Sequence, residues 1–248
     1  MFKNALLILL ALTLGTSLVL NYFFYQKAFI PLQLAKLDPV GIGYYPELKT
    51  QEKSENKPSI MFYGDSRALS WAPFKTTDYQ FINRAIGNQT STQILQRFDK
   101  HVAIHQPDLI LVQMCVNDLK MIPTFPNKRD SIIQNCKDNI QALIQKARRL
   151  ESTVVLSTVF PLGDISIFRK ALGITEAPII DGIAQINAFI NAQVAEDVVI
   201  FDSYTLLAGS SAKINPAYSR DWLHLNEQGY ALLNKHLQGF LAKTIKNP

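Results

Sequence analysis

Ser66 is the first residue whose type and position suggest chemistry. It lies two residues after Gly64, which ends the short apolar run of residues 60–63. The run has the length and β-favouring composition of a buried strand, and Gly64 permits a tight exit from it. A serine at the carboxyl end of a strand in an open α/β sheet lies where ligands and chemistry collect. Ser66 is therefore a candidate nucleophile, provided that the chain also supplies a base, an orienting acid and oxyanion donors.

Four later residues could complete a site around this serine. Gly87 and Asn117 follow the second and third predicted strands, whereas Asp221 and His224 follow the fifth, directly before the last predicted helix. Because the carboxyl ends of parallel strands lie at one edge of a sheet, we expect all four residues to meet Ser66 there. Of the four histidines, only His224 has an acid three residues before it on a predicted loop.

The elements that must position these residues alternate between strand and helix. The strand candidates are residues 59–63, 80–83, 109–114, 153–158 and 198–202. The helical candidates have apolar positions at three- and four-residue spacing and are residues 92–105, 129–150, 178–195 and 227–243. Near-continuous apolar strands between amphipathic helices predict a parallel sheet that is covered on both faces. The predicted fold class is α/β, a doubly wound, flavodoxin-like three-layer sandwich with about five strands.

The blocks around these residues together resemble the SGNH/GDSL hydrolase family. Residues 64–66 read Gly-Asp-Ser, Gly87 follows the second strand, residues 115–118 read Cys-Val-Asn-Asp, and residues 221–224 read Asp-Trp-Leu-His. The blocks occur in the family's order, and the similarity runs from residue 59 to the end of the chain. The last block, with the Leu-Asn and Gly-Tyr pairs that follow it, is the most specific part of the match.

The resemblance implies a serine esterase that cleaves carboxylic esters through an acyl-enzyme, without metal or cofactor. Ser66 is expected to attack the acyl carbonyl, His224 to remove its proton, and Asp221 to hold the imidazole and stabilise the imidazolium. The family pattern also implies an oxyanion hole built from the backbone N–H groups of Ser66 and Gly87 and from the side-chain amide of Asn117.

Two residues depart from the family pattern. Cys115 replaces the glycine that opens the third block and adds a side chain near the pocket floor. Arg67 follows the serine, where the family usually carries an apolar residue. It either recognises an anionic group or pairs with an acid such as Asp118, and we favour the pairing. Asp65 and Asp118 are themselves expected to be structural and to hydrogen-bond loop backbone beside the site.

The remaining cysteine and histidines give little support to a metal site. Cys136 either forms a disulfide with Cys115 or both thiols stay free, and the predicted position of Cys115 on a core strand favours free thiols. His101 and His105 lie one turn apart near a helix end, and without a third ligand we interpret them as a polar helix face. His236 on the last helix is expected to be solvated.

The amino-terminal segment, residues 1–25, predicts an uncleaved membrane anchor. Residues 5–20 carry no charge and an aromatic cluster follows them, a pattern typical of a membrane-spanning helix. A cleaved signal peptide is the alternative, although no clean small-x-small cleavage site is present. Residues 26–57 are interpreted as a juxtamembrane connector and residues 58–248 as the hydrolase domain, which we expect outside the cytoplasm, in the periplasm or cell envelope.

The composition restricts the partners. The net charge is +5 and the Lys and Arg residues are scattered without a dense basic run, which argues against nucleic-acid binding. Loops 119–129 and 161–178 carry apolar residues that either receive an acyl chain, lie on lipid or close the core. The expected substrate is an O-acyl ester of an envelope polysaccharide, a lipid or a small ester. Acyl transfer to a sugar hydroxyl and a non-catalytic envelope scaffold with the same fold are the alternatives.

Overall fold

The computed structural model describes residues 2–45, 56–209 and 212–245. The chain divides into two compact units, residues 1–43 and 44–248, each described by itself. The first unit consists mainly of α1 (Phe2–Leu37), which is long and apolar enough to cross a membrane. The helix passes through Pro31 and does not end at Tyr25, so the start of the predicted connector is helical. Residues 46–55 of that connector lie outside the described part of the chain.

The second unit is built on a five-stranded sheet in which every pair of neighbouring strands is parallel. The strands are β1 (Ser59–Gly64), β2 (Gln80–Asn83), β3 (Leu109–Gln113), β4 (Thr153–Ser157) and β5 (Val198–Phe201). Their order across the sheet is β2-β1-β3-β4-β5, the flavodoxin-like arrangement of a doubly wound fold. The predicted fold class is confirmed.

Helices cover both faces of this sheet. They are α2 (Ser66–Leu69), α3 (Ser91–Gln96), α4 (Phe98–His101), α5 (Val116–Leu119), α6 (Arg129–Arg148), α7 (Ile167–Ala171), α8 (Ala177–Asn191), α9 (Ser203–Leu207) and α10 (Glu227–Thr244). Short 3₁₀ turns occupy Ile42–Tyr44, Ala103–His105, Pro126–Lys128 and Pro216–Tyr218. The apolar residues of β3 alternate between two cores: Ile110 and Val112 pack with α6 and α8, and Leu109 and Leu111 pack with α10.

The helix predicted over residues 92–105 is wrong as a single element, because it is divided into α3, α4 and a 3₁₀ turn. The first break falls at Arg97, whose side chain is fully buried. Its guanidinium donates to the carbonyl oxygens of Gly64 and Arg84 at 2.9 and 2.6 Å. These long-range contacts are invisible to a helical periodicity, which reports only which residues share a face.

Gly64 is required at the end of β1 because the neighbouring strand is too close for a side chain. A Cβ atom at this position would lie 1.8 Å from the carbonyl oxygen of Gln113, and the backbone φ is +149°. Gly64 ends β1, Asp65 caps the next helix, and Ser66 is the first residue of α2.

Candidate active site

Three side chains from opposite ends of the second unit form a line of hydrogen bonds at the carboxyl edge of the sheet. Ser66 Oγ lies 3.0 Å from His224 Nε2. His224 Nδ1 lies 2.9 Å from Asp221 Oδ2 and 3.0 Å from Oδ1. A neutral imidazole that donates through Nδ1 to the carboxylate leaves Nε2 as an acceptor for the serine proton.

The loop that carries Asp221 and His224 is held by its own backbone. Asp221 Oδ1 accepts hydrogen bonds from the N–H groups of Leu223 and His224 at 2.8 and 2.9 Å. Burial opposes ionisation of this carboxyl, but these bonds and the one from the imidazole outweigh it, and the pKa of Asp221 lies below its ordinary value. Asn226 then caps α10 by accepting from the Gly229 N–H.

The two residues between Asp221 and His224 anchor the loop to the domain. Leu223 is buried, and Trp222 is partly buried against the core that contains α6 and α8. The guanidinium carbon of Arg169 lies 5.2 Å from the centre of the Trp222 ring, which brings α7 beside the loop.

Gly87 and Asn117 lie on the two loops that flank the serine. A Cβ atom built on Gly87 would lie 3.9 Å from Ser66 Cβ, so the backbone of Gly87 passes directly beside the nucleophile candidate. Asn117 is buried on α5, and its amide donates one hydrogen bond of 2.9 Å to the carbonyl oxygen of Gln89. An amide nitrogen carries two hydrogens, and this bond uses one of them.

Cys115 is not on a strand, because β3 ends at Gln113, and its thiol is not free. It forms a disulfide with Cys136 of α6, with the two Cα atoms 6.0 Å apart. The prediction of free thiols is therefore wrong. Cys115 has a φ of +85°, in the left-handed region where glycine is favoured. This conformation gives a physical reason for the glycine that the family carries here.

Arg67 does not pair with Asp118, and that prediction is wrong. Its guanidinium is fully buried and donates to three backbone carbonyl oxygens, those of Leu223 at 2.8 Å, Phe160 at 3.0 Å and Pro161 at 3.3 Å. Asp118 instead accepts from the N–H and hydroxyl of Ser91 at 2.8 and 2.7 Å. Carbonyl partners carry no pattern in the sequence, so no local signal could have identified them.

Asp65 shapes the turn that presents the serine. Its Oδ1 accepts from the N–H of Arg67 at 2.9 Å and caps α2, whereas Oδ2 is buried and has no hydrogen-bond partner among the described residues. Burial raises the pKa of Asp65 to about 6, against the lowering effect of the Arg67 charge. The predicted structural roles of Asp65 and Asp118 agree with these hydrogen bonds.

The histidine pair is buried and does not form a polar helix face, which corrects the sequence-based interpretation. The Arg97 guanidinium lies 3.4 Å from Nδ1 of His101, and Arg84 donates to Nε2 of His105 at 3.1 Å. Burial first, and the Arg84 charge second, lower the pKa of His105. His236 is exposed on α10, as predicted.

Loops 119–129 and 161–178 contain both core and surface residues. Ile122 and Ile165 are buried and close the core. In contrast, Ile167, Phe168 and Leu172 are 87%, 70% and 65% exposed, on or directly after α7. Ile167 and Phe168 thus lie on the helix that contacts the Trp222 ring through Arg169, and Leu172 directly follows it.

Sequence reasoning missed Gly163, which packs under the Asp221 loop. Its N–H donates to the carbonyl oxygen of Trp222 at 2.9 Å. A Cβ atom here would lie 2.9 Å from the carbonyl oxygen of Asp221 and 3.1 Å from Trp222 Cα. A lone glycine in a predicted loop is the only signal that the sequence offers at this position.

With this geometry established, the family follows from sequence comparison. The model of the GDSL-like lipase/acylhydrolase family matches residues 59–232, well over half of the chain. The chain belongs to this family, and the SGNH/GDSL resemblance is confirmed. No curated protein sequence matches it significantly.

Several solved structures share the fold. A protein assigned as an acylhydrolase from Bacteroides fragilis is 25% identical with a TM-score of 0.61, covering 82% of this chain and 95% of its own. A GDSL-like lipase from Bacteroides thetaiotaomicron is 22% identical with a TM-score of 0.64, covering 82% and 98%. An acetyl xylan esterase from Geobacillus stearothermophilus is 13% identical with a TM-score of 0.55, covering 75% and 94%. Membership of the family supports an esterase or acylhydrolase activity.

Proposed function

We propose that the protein hydrolyses carboxylic O-acyl esters through an acyl-enzyme on Ser66. The observation that carries the proposal is the hydrogen-bonded line from Ser66 Oγ through the His224 imidazole to the Asp221 carboxylate, with separations of 3.0 and 2.9 Å. A serine hydroxyl is a weak nucleophile until a base removes its proton, and this geometry supplies both the base and its orienting acid.

In the proposed reaction, Ser66 Oγ attacks the acyl carbonyl and His224 Nε2 takes the hydroxyl proton. Asp221 stabilises the imidazolium through the bond at Nδ1. The developing oxyanion is bound by the N–H groups of Ser66 and Gly87 and by the second amide hydrogen of Asn117. The intermediate collapses to an acyl-serine as the imidazolium returns its proton to the leaving alcohol. Water, activated by the same imidazole, then releases the acid and restores the serine.

The disulfide and the apolar helix support a location outside the cytoplasm. Disulfides persist in oxidising compartments and are rare in the cytosol, and Cys115 and Cys136 form one. Helix α1 has the length and composition of a membrane anchor. We therefore propose a membrane-anchored esterase of the periplasm or cell envelope, with O-acyl groups of an envelope polysaccharide, a lipid or a small ester as its substrates.

Labelling with a fluorophosphonate tests the nucleophile directly. The full chain in detergent should be labelled, Ser66→Ala should not be, and p-nitrophenyl acetate or butyrate should be hydrolysed only by the unsubstituted protein. A folded protein that resists the label and hydrolyses no ester would contradict the proposal and favour a scaffold. Labelling with turnover only after a sugar acceptor is added would instead identify an acyltransferase.

A further inference from the structure

Arg67 is a buried arginine of the second unit whose guanidinium binds backbone carbonyl groups instead of a carboxylate. It follows the proposed nucleophile directly, its side chain is 0% exposed, and its guanidinium donates to backbone carbonyl oxygens. The Asp65 and Asp221 charges act on it only as secondary influences that raise its pKa against the larger effect of burial. Taking a guanidinium out of water is costly, even where hydrogen bonds to its N–H groups return part of that cost. A contribution to folding stability is therefore a weak explanation for the presence of an arginine at this buried position.

The three carbonyl groups that Arg67 binds belong to two separate loops. Leu223 immediately precedes His224, whereas Phe160 and Pro161 belong to the chain that leaves β4. The guanidinium also lies over the Phe160 ring, with its carbon 5.2 Å from the ring centre. The planar guanidinium therefore connects α2, which carries Ser66, to the loop that carries His224 and to the loop that follows β4.

Both ends of this connection are fixed. The hydroxyl of Tyr230 on α10 donates to the backbone carbonyl oxygen of Arg67 at 3.0 Å, which holds the main chain next to Ser66. The Gly163 N–H donates to the Trp222 carbonyl oxygen and so holds the loop that carries His224. Burial lowers the pKa of Arg67 to about 10, so the guanidinium still carries its full set of donors at neutral pH.

We propose that Arg67 is a positioning residue for the reaction: by binding the Leu223 carbonyl, it sets the distance between the His224 imidazole and the Ser66 hydroxyl. This inference rests on the proposed function. The covalent connection is short at both ends, since Arg67 adjoins Ser66 and Leu223 adjoins His224. A displacement of about 1 Å between reacting groups can reduce turnover about a hundredfold, so a single side chain in this position has a large effect on rate.

The test compares Arg67→Met and Arg67→Lys with Leu143→Ala in the full chain. Met keeps an unbranched apolar stem but has no donors, and Lys keeps the charge but cannot span the carbonyl groups of both loops. Leu143 is fully buried on α6, a helix that carries none of the proposed site residues, and its truncation provides a control with reduced thermal stability. Hydrolysis of p-nitrophenyl acetate is measured at a temperature where circular dichroism shows each variant folded.

We expect Arg67→Met to lower kcat by about 10- to 100-fold with little change in KM, and Arg67→Lys to recover part of the loss. Leu143→Ala should keep kcat within about twofold, because a folded core mutant leaves the site geometry intact. Hydrogen exchange supplies a readout independent of activity: amides of residues 220–225 should exchange faster in Arg67→Met and unchanged in Leu143→Ala.

Each result supports or overturns the inference. An active, folded Arg67→Met with the turnover and the exchange rates of the unsubstituted protein overturns it. If Arg67→Met does not fold, Arg67→Lys decides in the same way. Absence of fluorophosphonate labelling in the unsubstituted protein would refute the proposed function instead, and faster exchange in Arg67→Met would then still show that Arg67 holds the loop.

Discussion

Reduction of the disulfide between Cys115 and Cys136 should destabilise the second unit while leaving its active-site edge assembled. The two cysteines are separated by 21 residues, and a loop of that length corresponds to about 3 kcal/mol of lost unfolded-state entropy. For a unit of this size, that loss predicts a fall in the melting temperature of about 6–12 °C. Turnover at 25 °C should persist, because the hydrogen bonds between Asp118 and Ser91 still hold α5.

The assay is thermal unfolding of the full chain in detergent, with and without a phosphine reductant, together with a count of free thiols. Cys136→Ala provides the control, since reductant should not change its melting temperature. A second comparison uses the backbone of Cys115, whose φ is +85°. In a chain that lacks the disulfide, glycine at position 115 should be more stable than alanine by about 1 kcal/mol, because glycine adopts this conformation without a steric penalty.

Two outcomes would refute the reasoning. Two titratable thiols in the untreated folded protein would mean that the disulfide does not form. A rise from zero to two thiols on reduction with an unchanged melting temperature would mean that loop closure contributes no stability here.

Three further predictions concern the site. Asn117→Ala should lower kcat about a hundredfold or more by removing a proposed oxyanion donor, measured with p-nitrophenyl esters; unchanged turnover would exclude Asn117 from the mechanism. Gly163→Ala should lower kcat at least about tenfold, because its Cβ would lie 2.9 Å from the Asp221 carbonyl oxygen and displace that loop, whereas faster unfolding without a loss of kcat would contradict this. Asp65→Asn should be stabilising at pH 8 by up to about 3 kcal/mol and much less so at pH 4. Burial raises the folded-state pKa of Asp65 from 3.8 to about 6, so the folded state binds this proton more tightly and the protein with Asp65 loses stability as the pH rises through that interval. Melting temperatures of both proteins across pH test it, and a difference that is constant with pH would count against it.

The sequence by itself determined the sheet and the identity of the residues at its edge. All five predicted strands exist in the structure, and β2 has the predicted bounds. This success has a physical reason: a strand buried on both faces must be apolar along its length, and an amphipathic helix must repeat its apolar residues every three or four positions. The residues that follow each parallel strand then lie at one edge, whatever the details of packing.

Only the tertiary structure decided how distant segments are joined at that edge. Arg67 binds a carbonyl group 156 residues away, Cys115 is bonded to Cys136 of α6, and His101 and His105 are buried beside arginines. Periodicity records which residues share a face, but it carries no information on which backbone carbonyl or thiol will lie opposite once the layers close. The 3.0 Å separation between the Ser66 hydroxyl and the His224 imidazole joins residues 158 positions apart in the sequence, so it too depends on how distant segments pack.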